Sequence, residues 1–185
     1  NGNCPAAISN TAVVTVNHNN TWTGNVNADW NVAANWSCLQ VPTVVIDVNI
    51  PVVVSGNYPN VTAGTVWCRN LSIDPGANIK VSGSAIFEIA GTLSSAGNFD
   101  VTNGSVRFIG VSPQQIPANA FASNSIQNLT IDNTAGVSML GANNITGILD
   151  IRLGTFQTGN QLTLKSNSQT TAIIAPVTGA VSGTM

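Results

Sequence analysis

From Val44 onward the apolar residues come in short bursts separated by turn residues: VVIDVNIPVVV, NLSID, NIKVSG, AIFEIAGTL, NFDVTNGSVRFIG, IQNLTID, ITGILDI, GTFQT and QLTLKS. Each burst alternates apolar and polar positions briefly and stops at Gly, Asn or Asp-Pro, the pattern of short half-buried strands. No segment keeps helical spacing across three turns. Asn70-Leu71-Ser72-Ile73-Asp74 recurs as Asn128-Leu129-Thr130-Ile131-Asp132, and Gly-Thr-Leu or Gly-Ile-Leu follows each copy. The offset from Asn70 to Asn128 predicts two or three coils of a solenoid, none able to bury its apolar side alone. The predicted fold is all-β, a short right-handed parallel β-helix over residues 44–185. Its Leu, Ile, Val and Phe stack coil on coil, and Gly and Asn take the corners. The alternative is an antiparallel β-sandwich, which uses the same strands and is favoured locally by the hairpin dipeptide Asn103-Gly104.

Ahead of the bursts, TWTGNVNADWNVAANW (residues 21–36) concentrates three tryptophans in a stretch with neither helical nor strand period. A solenoid with an open end exposes apolar side chains and strand edges. Residues 18–43 are therefore expected to form a cap, with Trp22, Trp30 and Trp36 as a lid whose indole N–H groups reach Asn side chains or backbone carbonyls. The competing reading is an aromatic platform for sugar rings beside Asp29. Clustered large aromatics are usually buried, which favours the lid.

Composition narrows the function classes. Charged residues make up 6% of the chain against 43% hydrophobic, and about one residue in seven is Asn, so solubility rests on uncharged polar groups. Five scattered basic residues and a net charge of −2 offer no phosphate-binding patch, so nucleic acid is not an expected partner. Every apolar run is interrupted well short of a membrane span, so no membrane insertion is expected. Cys4, Cys38 and Cys68 lack metal-ligand spacing and leave one thiol over if two of them pair; three buried thiols are the plain alternative. The charge-poor, Asn-rich composition suits an extracellular or cell-surface setting.

Catalytic chemistry finds little support. His18, the only histidine, sits in NHNN and reads as solvated linker. Glycoside hydrolysis needs two carboxylates on one face, and the acidic residues are dispersed along the chain. Asp74 and Asp132, equivalent in the repeat, are candidates for a carboxylate ladder binding Ca²⁺; the simpler reading has each capping a turn. Polysaccharide lyases cluster Lys, Arg and Asp on one sheet of a β-helix, but fold analogy alone carries no function. The sequons at Asn19, Asn35, Asn60, Asn70, Asn103, Asn128 and Asn144 follow from composition, and Asn70 and Asn128 read as asparagines bonding along the stack. Outward threonines in NLTI and QLTLK would suit a flat Thr array, but their spacing is irregular and Thr readily fills exposed strand positions. No catalytic residue, cofactor or metal site is expected, and the chain is not expected to be an enzyme.

TWTGNVNADWNVAANW…VPT, NYPNV, VWCRNLSIDPGANIKV, GTL, FIG…QQI, IQNLTIDNTAGVSML and GILDI..GTF together resemble a β-helical surface module of large Bacteroidota proteins secreted by the type IX system, over residues 21–185. The resemblance implies a non-catalytic structural or adhesive module in a multidomain protein. Its partners would be neighbouring domains, a polysaccharide or host surface, or copies of itself. A carbohydrate-binding module, or accessory part of a polysaccharide-active enzyme, and an extracellular filament subunit are the alternatives, the last because TAVVTVN (11–17) resembles a strand to be donated. The end at Met185 resembles the point where such modules run on into another β-rich segment. Residues 1–17 resemble the closing strands of an immunoglobulin-like repeat or a linker strand, and on that resemblance Cys38 and Cys68 form the bridge, with Cys4–Cys38 as the second choice.

Overall fold

The computed structural model describes residues 19–176 and 178–183. Every strand pairing among them is parallel, and the coils stack into a solenoid of about six turns. The antiparallel sandwich is thereby excluded. Asn103-Gly104 makes no hairpin: it lies inside the long strand Asn98–Phe108. There a Cβ on Gly104 would strike the Val81 carbonyl of the coil below, so the glycine serves close coil packing.

Coil length varies along the stack: Asn19 lies over Asp47 across the longest coil, and Ser125 lies over Asn144 across one of the shortest. The strands form three columns. The first runs through Asn60–Val61, the opening halves of Asn78–Ile89, Asn98–Phe108 and Ser125–Asp132, then Asn143–Ile145 and Leu162–Leu164. The second runs through Thr65–Cys68, the closing halves of the same three long strands, then Ile148–Leu153 and Ile173–Ile174. The third comprises two four-stranded sheets, from Asn19–Thr21 to Leu93–Ser95 and from Gln114–Ile116 to Ala180–Ser182. Where that column breaks, a side chain replaces the missing ladder: Gln114 Nε2 donates to the carbonyls of Ile89 (2.9 Å) and Gly91 (2.6 Å). Its Oε1 accepts from Gly110 N and from Asn133 Nδ2, so this buried amide is satisfied.

Stacking on the axis is side chain over side chain. In the second column Val66, Phe87, Val106, Leu129 and Leu149 form one ladder, and Cys68, Ile89, Phe108, Ile131 and Ile151 form the next, all 0–1% exposed. Burying each such aliphatic or aromatic side chain contributes roughly 1.5–3 kcal/mol before chain entropy is charged against it.

The NLSID and NLTID repeat is a local device rather than a vertical one. Leu71 stacks in the third column, on Val48 and Leu93, whereas Leu129 stacks in the second, on Val106 and Leu149. Every column imposes the same in-out alternation, so similar pentapeptides arise on different faces. The repeat does mark a shared hydrogen bond. Asn70 Oδ1 accepts from Thr92 N (2.7 Å) and Asn128 Oδ1 from Ile148 N (2.9 Å), each one coil on, as expected of stack asparagines. Each amide also reaches back one coil, Asn70 Nδ2 to Asp47 and Asn128 Nδ2 to Ser105.

Close coil contact makes one glycine testable. Gly154 has φ +76°, and a Cβ there would drive into the Asn133 carbonyl. Gly154→Ala is expected to lower the unfolding free energy by about 2 kcal/mol in a denaturant titration. Gly56→Ala shares the strained dihedral (φ +70°) but meets open space, and should cost only about 1 kcal/mol.

Candidate functional site

The tryptophan segment is a lid. Trp22, Trp30 and Trp36 are 0–1% exposed, with Trp36 edge-on to both Trp22 (centroids 4.9 Å apart) and Trp30 (4.6 Å). Trp30 also meets Phe87 edge-on at 5.0 Å, and the aromatic line continues through Phe99 to Phe121. The strand Asn19–Thr21, read as part of the lid, is the outermost strand of the stack and pairs with Asp47–Asn49. Two indoles behave as expected: Trp22 Nε1 donates to the Asn57 carbonyl (2.7 Å) and Trp36 Nε1 to the Trp30 carbonyl (2.8 Å). Trp30 Nε1 has no acceptor, although its ring packs edge-on against Trp36 and Phe87.

The lid's shape comes from Asn35, which sequence reading passed over as a sequon. Fully buried, it accepts from Val26 N and Asn27 N at Oδ1 and donates from Nδ2 to Asn27 Oδ1 and the Asp29 carbonyl. These four bonds satisfy the whole amide and curl residues 26–35 over the indoles. Asp29 accepts from Asn31 N in a local turn beside a polar hollow of about 510 Å³ lined by Asn27, Asn31 and Asn60. No aromatic ring lines it, so the sugar platform beside Asp29 does not form.

The cysteine expectation fails. Cys68 is a free thiol, wholly buried in the second-column ladder, and burial pushes its pKa up. It faces the axis, whereas Cys38 lies in the lid with Sγ 3.6 Å from the Asn19 carbonyl, so no Cys38–Cys68 bridge exists. The second choice, Cys4–Cys38, involves Cys4, which lies outside the described residues, as do His18 and residues 1–17. A thiol assay decides the second choice: with Cys4 and Cys38 paired, the oxidised native protein shows no reactive thiol and releases one, that of Cys68, when denatured without reductant.

Asp74 and Asp132 do not align. Asp74 opens the Asp-Pro-Gly turn, where Ala77 N donates to its carbonyl and Gly76 has φ +84°, as the turn reading expects. Asp132 ends a second-column strand and pairs with Arg107. The Thr array fails for the same reason: Thr130 lies in the second column and Thr163 in the first. Among the described residues no three His, Cys, Asp or Glu side chains stand together as a metal set, and no helix is long and apolar enough to cross a membrane.

The outward face of the second column is where polar chemistry converges, contrary to the expectation of dispersed carboxylates. Its triplets Val66-Trp67-Cys68, Phe87-Glu88-Ile89, Val106-Arg107-Phe108, Leu129-Thr130-Ile131 and Leu149-Asp150-Ile151 each bury their first and third residues. The middle residues Trp67, Glu88, Arg107, Thr130 and Asp150 therefore form one outward ladder. Trp67, 39% exposed, donates from Nε1 to Glu88 Oε2 at 2.8 Å. Arg107 bridges two carboxylates, Glu88 (2.9 Å) and Asp132, and Arg152 pairs with Asp150 at 2.7 Å. Burial alone would lower the Arg107 pKa, but the hydrogen bond to Asp132 and the charges of Glu88 and Asp132 outweigh it and raise the value. A shallow groove of about 210 Å³ runs across this face between Ile86 and Ile148.

A second bridge, Arg69 to Asp47, lies on the neighbouring column. Burial raises the Asp47 carboxyl, yet the bidentate guanidinium (2.6 and 2.5 Å) and the Asn70 donors hold it below the ordinary value.

Sequence reading missed Trp67, Glu88 and Arg107 as a group. The available signal was the apolar-x-apolar triplet, which recurs around each of these three residues at steps of one coil.

Comparison with known proteins adds one match. Residues 21–110 match the model of a domain of unknown function (DUF8693), a stretch that runs from the lid through the long strand Asn98–Phe108. No curated protein and no solved structure matches the chain.

Proposed function

We propose that the chain is a non-catalytic structural and adhesive module of a large secreted or cell-surface bacterial protein. The observation that carries this reading is the mutual neutralisation on the outward face: Glu88 and Asp132 share Arg107, and Asp150 holds Arg152. A catalytic carboxylate must be free to meet its substrate, and each of these three is occupied by a guanidinium. What the face offers instead is a rigid array of indole, amide, hydroxyl and ion-pair groups on a stack sealed at one end. The charge-poor composition and the resemblance to type IX-secreted modules support an extracellular setting. A filament role rests on residues 11–17, outside the described residues.

The test is incubation of the protein with insoluble polysaccharides and intact bacterial or host cells, scoring both retention and released sugar. Retention without new reducing ends or unsaturated uronates is expected. Released product would overturn the non-catalytic reading, and retention on none of these surfaces would overturn the adhesive one.

A further inference from the structure

We infer that the outward face of the second column is a binding groove for an uncharged glycan chain, with Trp67 as its stacking platform. The inference rests on the adhesive reading and names its ligand class. Three of the four tryptophans are buried in the lid, and Trp67 alone is presented to solvent. Its N–H is anchored to Glu88 Oε2, which restrains the side chain. A pre-set aromatic surface loses little freedom on binding and offers an apolar face to the C–H side of a sugar ring.

The groove begins one coil on, at Ile86 of the strand that carries Glu88. Ile86 and Ile148 supply apolar floor at outward strand positions, while Ser105, Asn128 and Thr130 line it with hydroxyl and amide groups. Its residues come from four successive coils, so with strands about 4.8 Å apart the groove extends roughly 14 Å along the stack axis. Such a bed suits a short run of rings lying across the strands.

Charge selects the ligand. The three carboxylates of Glu88, Asp132 and Asp150 outnumber the two guanidiniums of Arg107 and Arg152, so the face is net negative. Arg107 is committed to two carboxylates, and Arg152 is paired at Nε with Asp150, so an anionic glycan would meet a net negative face with one partly neutralised cation. An uncharged polyhydroxylated chain meets no such repulsion.

Trp67 makes the site readable. Because the other indoles are 0–1% exposed, collisional quenching by acrylamide in the folded protein reports mainly on Trp67. The protein is titrated with cello-, chito-, xylo- and manno-oligosaccharides and, separately, with oligogalacturonate. At least one neutral series is expected to protect the indole from quenching, with oligogalacturonate at least tenfold weaker. Trp67→Ala should weaken retention of that glycan at least tenfold, whereas Trp67→Phe, which keeps a ring, should retain most of it. Both variants are checked for an unchanged circular dichroism spectrum. Three outcomes would overturn the inference: no protection by any neutral series, preference for oligogalacturonate, or binding undiminished in folded Trp67→Ala. Surface retention that survives Trp67→Ala would leave the adhesive reading standing and remove only this site.

Discussion

Trp30→Ala is expected to lower the unfolding free energy by about 3–5 kcal/mol, the cost of truncating a large buried aromatic that its surroundings cannot collapse to replace. Trp30 is the joint between lid and stack: it touches Trp22 and Trp36 on the lid side and Phe87 on the core side. Its removal leaves a void where the first aliphatic ladders end, and the lid loses the aromatic contact that seats it. Substitution by Phe separates packing from hydrogen bonding. Trp30 Nε1 has no acceptor, so Trp30→Phe breaks no hydrogen bond and should cost under about 2 kcal/mol. Trp36→Phe loses similar volume but also strips the Trp30 carbonyl of its donor, adding about 1 kcal/mol. Denaturant titrations followed by far-ultraviolet circular dichroism measure all three. A Trp30→Ala variant within about 1 kcal/mol of the parent, the range of an ordinary substitution, would show that the segment does not seal the stack.

The solenoid and the lid were legible because each has a physical signature that needs no long-range information. Bursts such as AIFEIAGTL and NFDVTNGSVRFIG carry the two-residue alternation of strands, and their shortness implies stacking of small units. Three tryptophans in aperiodic chain had to be buried against something, and an open coil end was the available surface. Register was not legible. NLSID and NLTID look equivalent, yet they serve different columns, because coils of unequal length scramble any fixed period. The Ca²⁺ ladder assumed that period and fell with it.

The outward face was hidden for a related reason. Glu88, Arg107 and Asp132 are far apart in sequence and lie singly among apolar neighbours, so composition makes them look dispersed. Only coil-to-coil register brings them into one cluster. The disulfide expectation failed on orientation: in Val66-Trp67-Cys68 the alternation turns Trp67 outward and Cys68 toward the axis, so the bulkier residue is the exposed one. A reading that assigned in and out by hydrophobicity alone would bury Trp67, whose N–H instead finds its partner on the surface at Glu88.

Arg107→Met should cost about 3 kcal/mol at neutral pH, because it leaves the Glu88 and Asp132 carboxylates without their shared cation. Their side chains are only 11% and 16% exposed, so water replaces little of what the guanidinium supplied. Denaturant titrations of the variant and the parent measure the cost, and a loss under about 1 kcal/mol would mean that the guanidinium adds little beyond its stem. Adding Glu88→Gln and Asp132→Asn to Arg107→Met removes both uncompensated charges and should recover more than half of the loss, whereas no recovery would mean that Arg107 acts through packing rather than charge. The arginine would then be shown to stabilise the face chiefly by silencing two carboxylates that the coil register forces together.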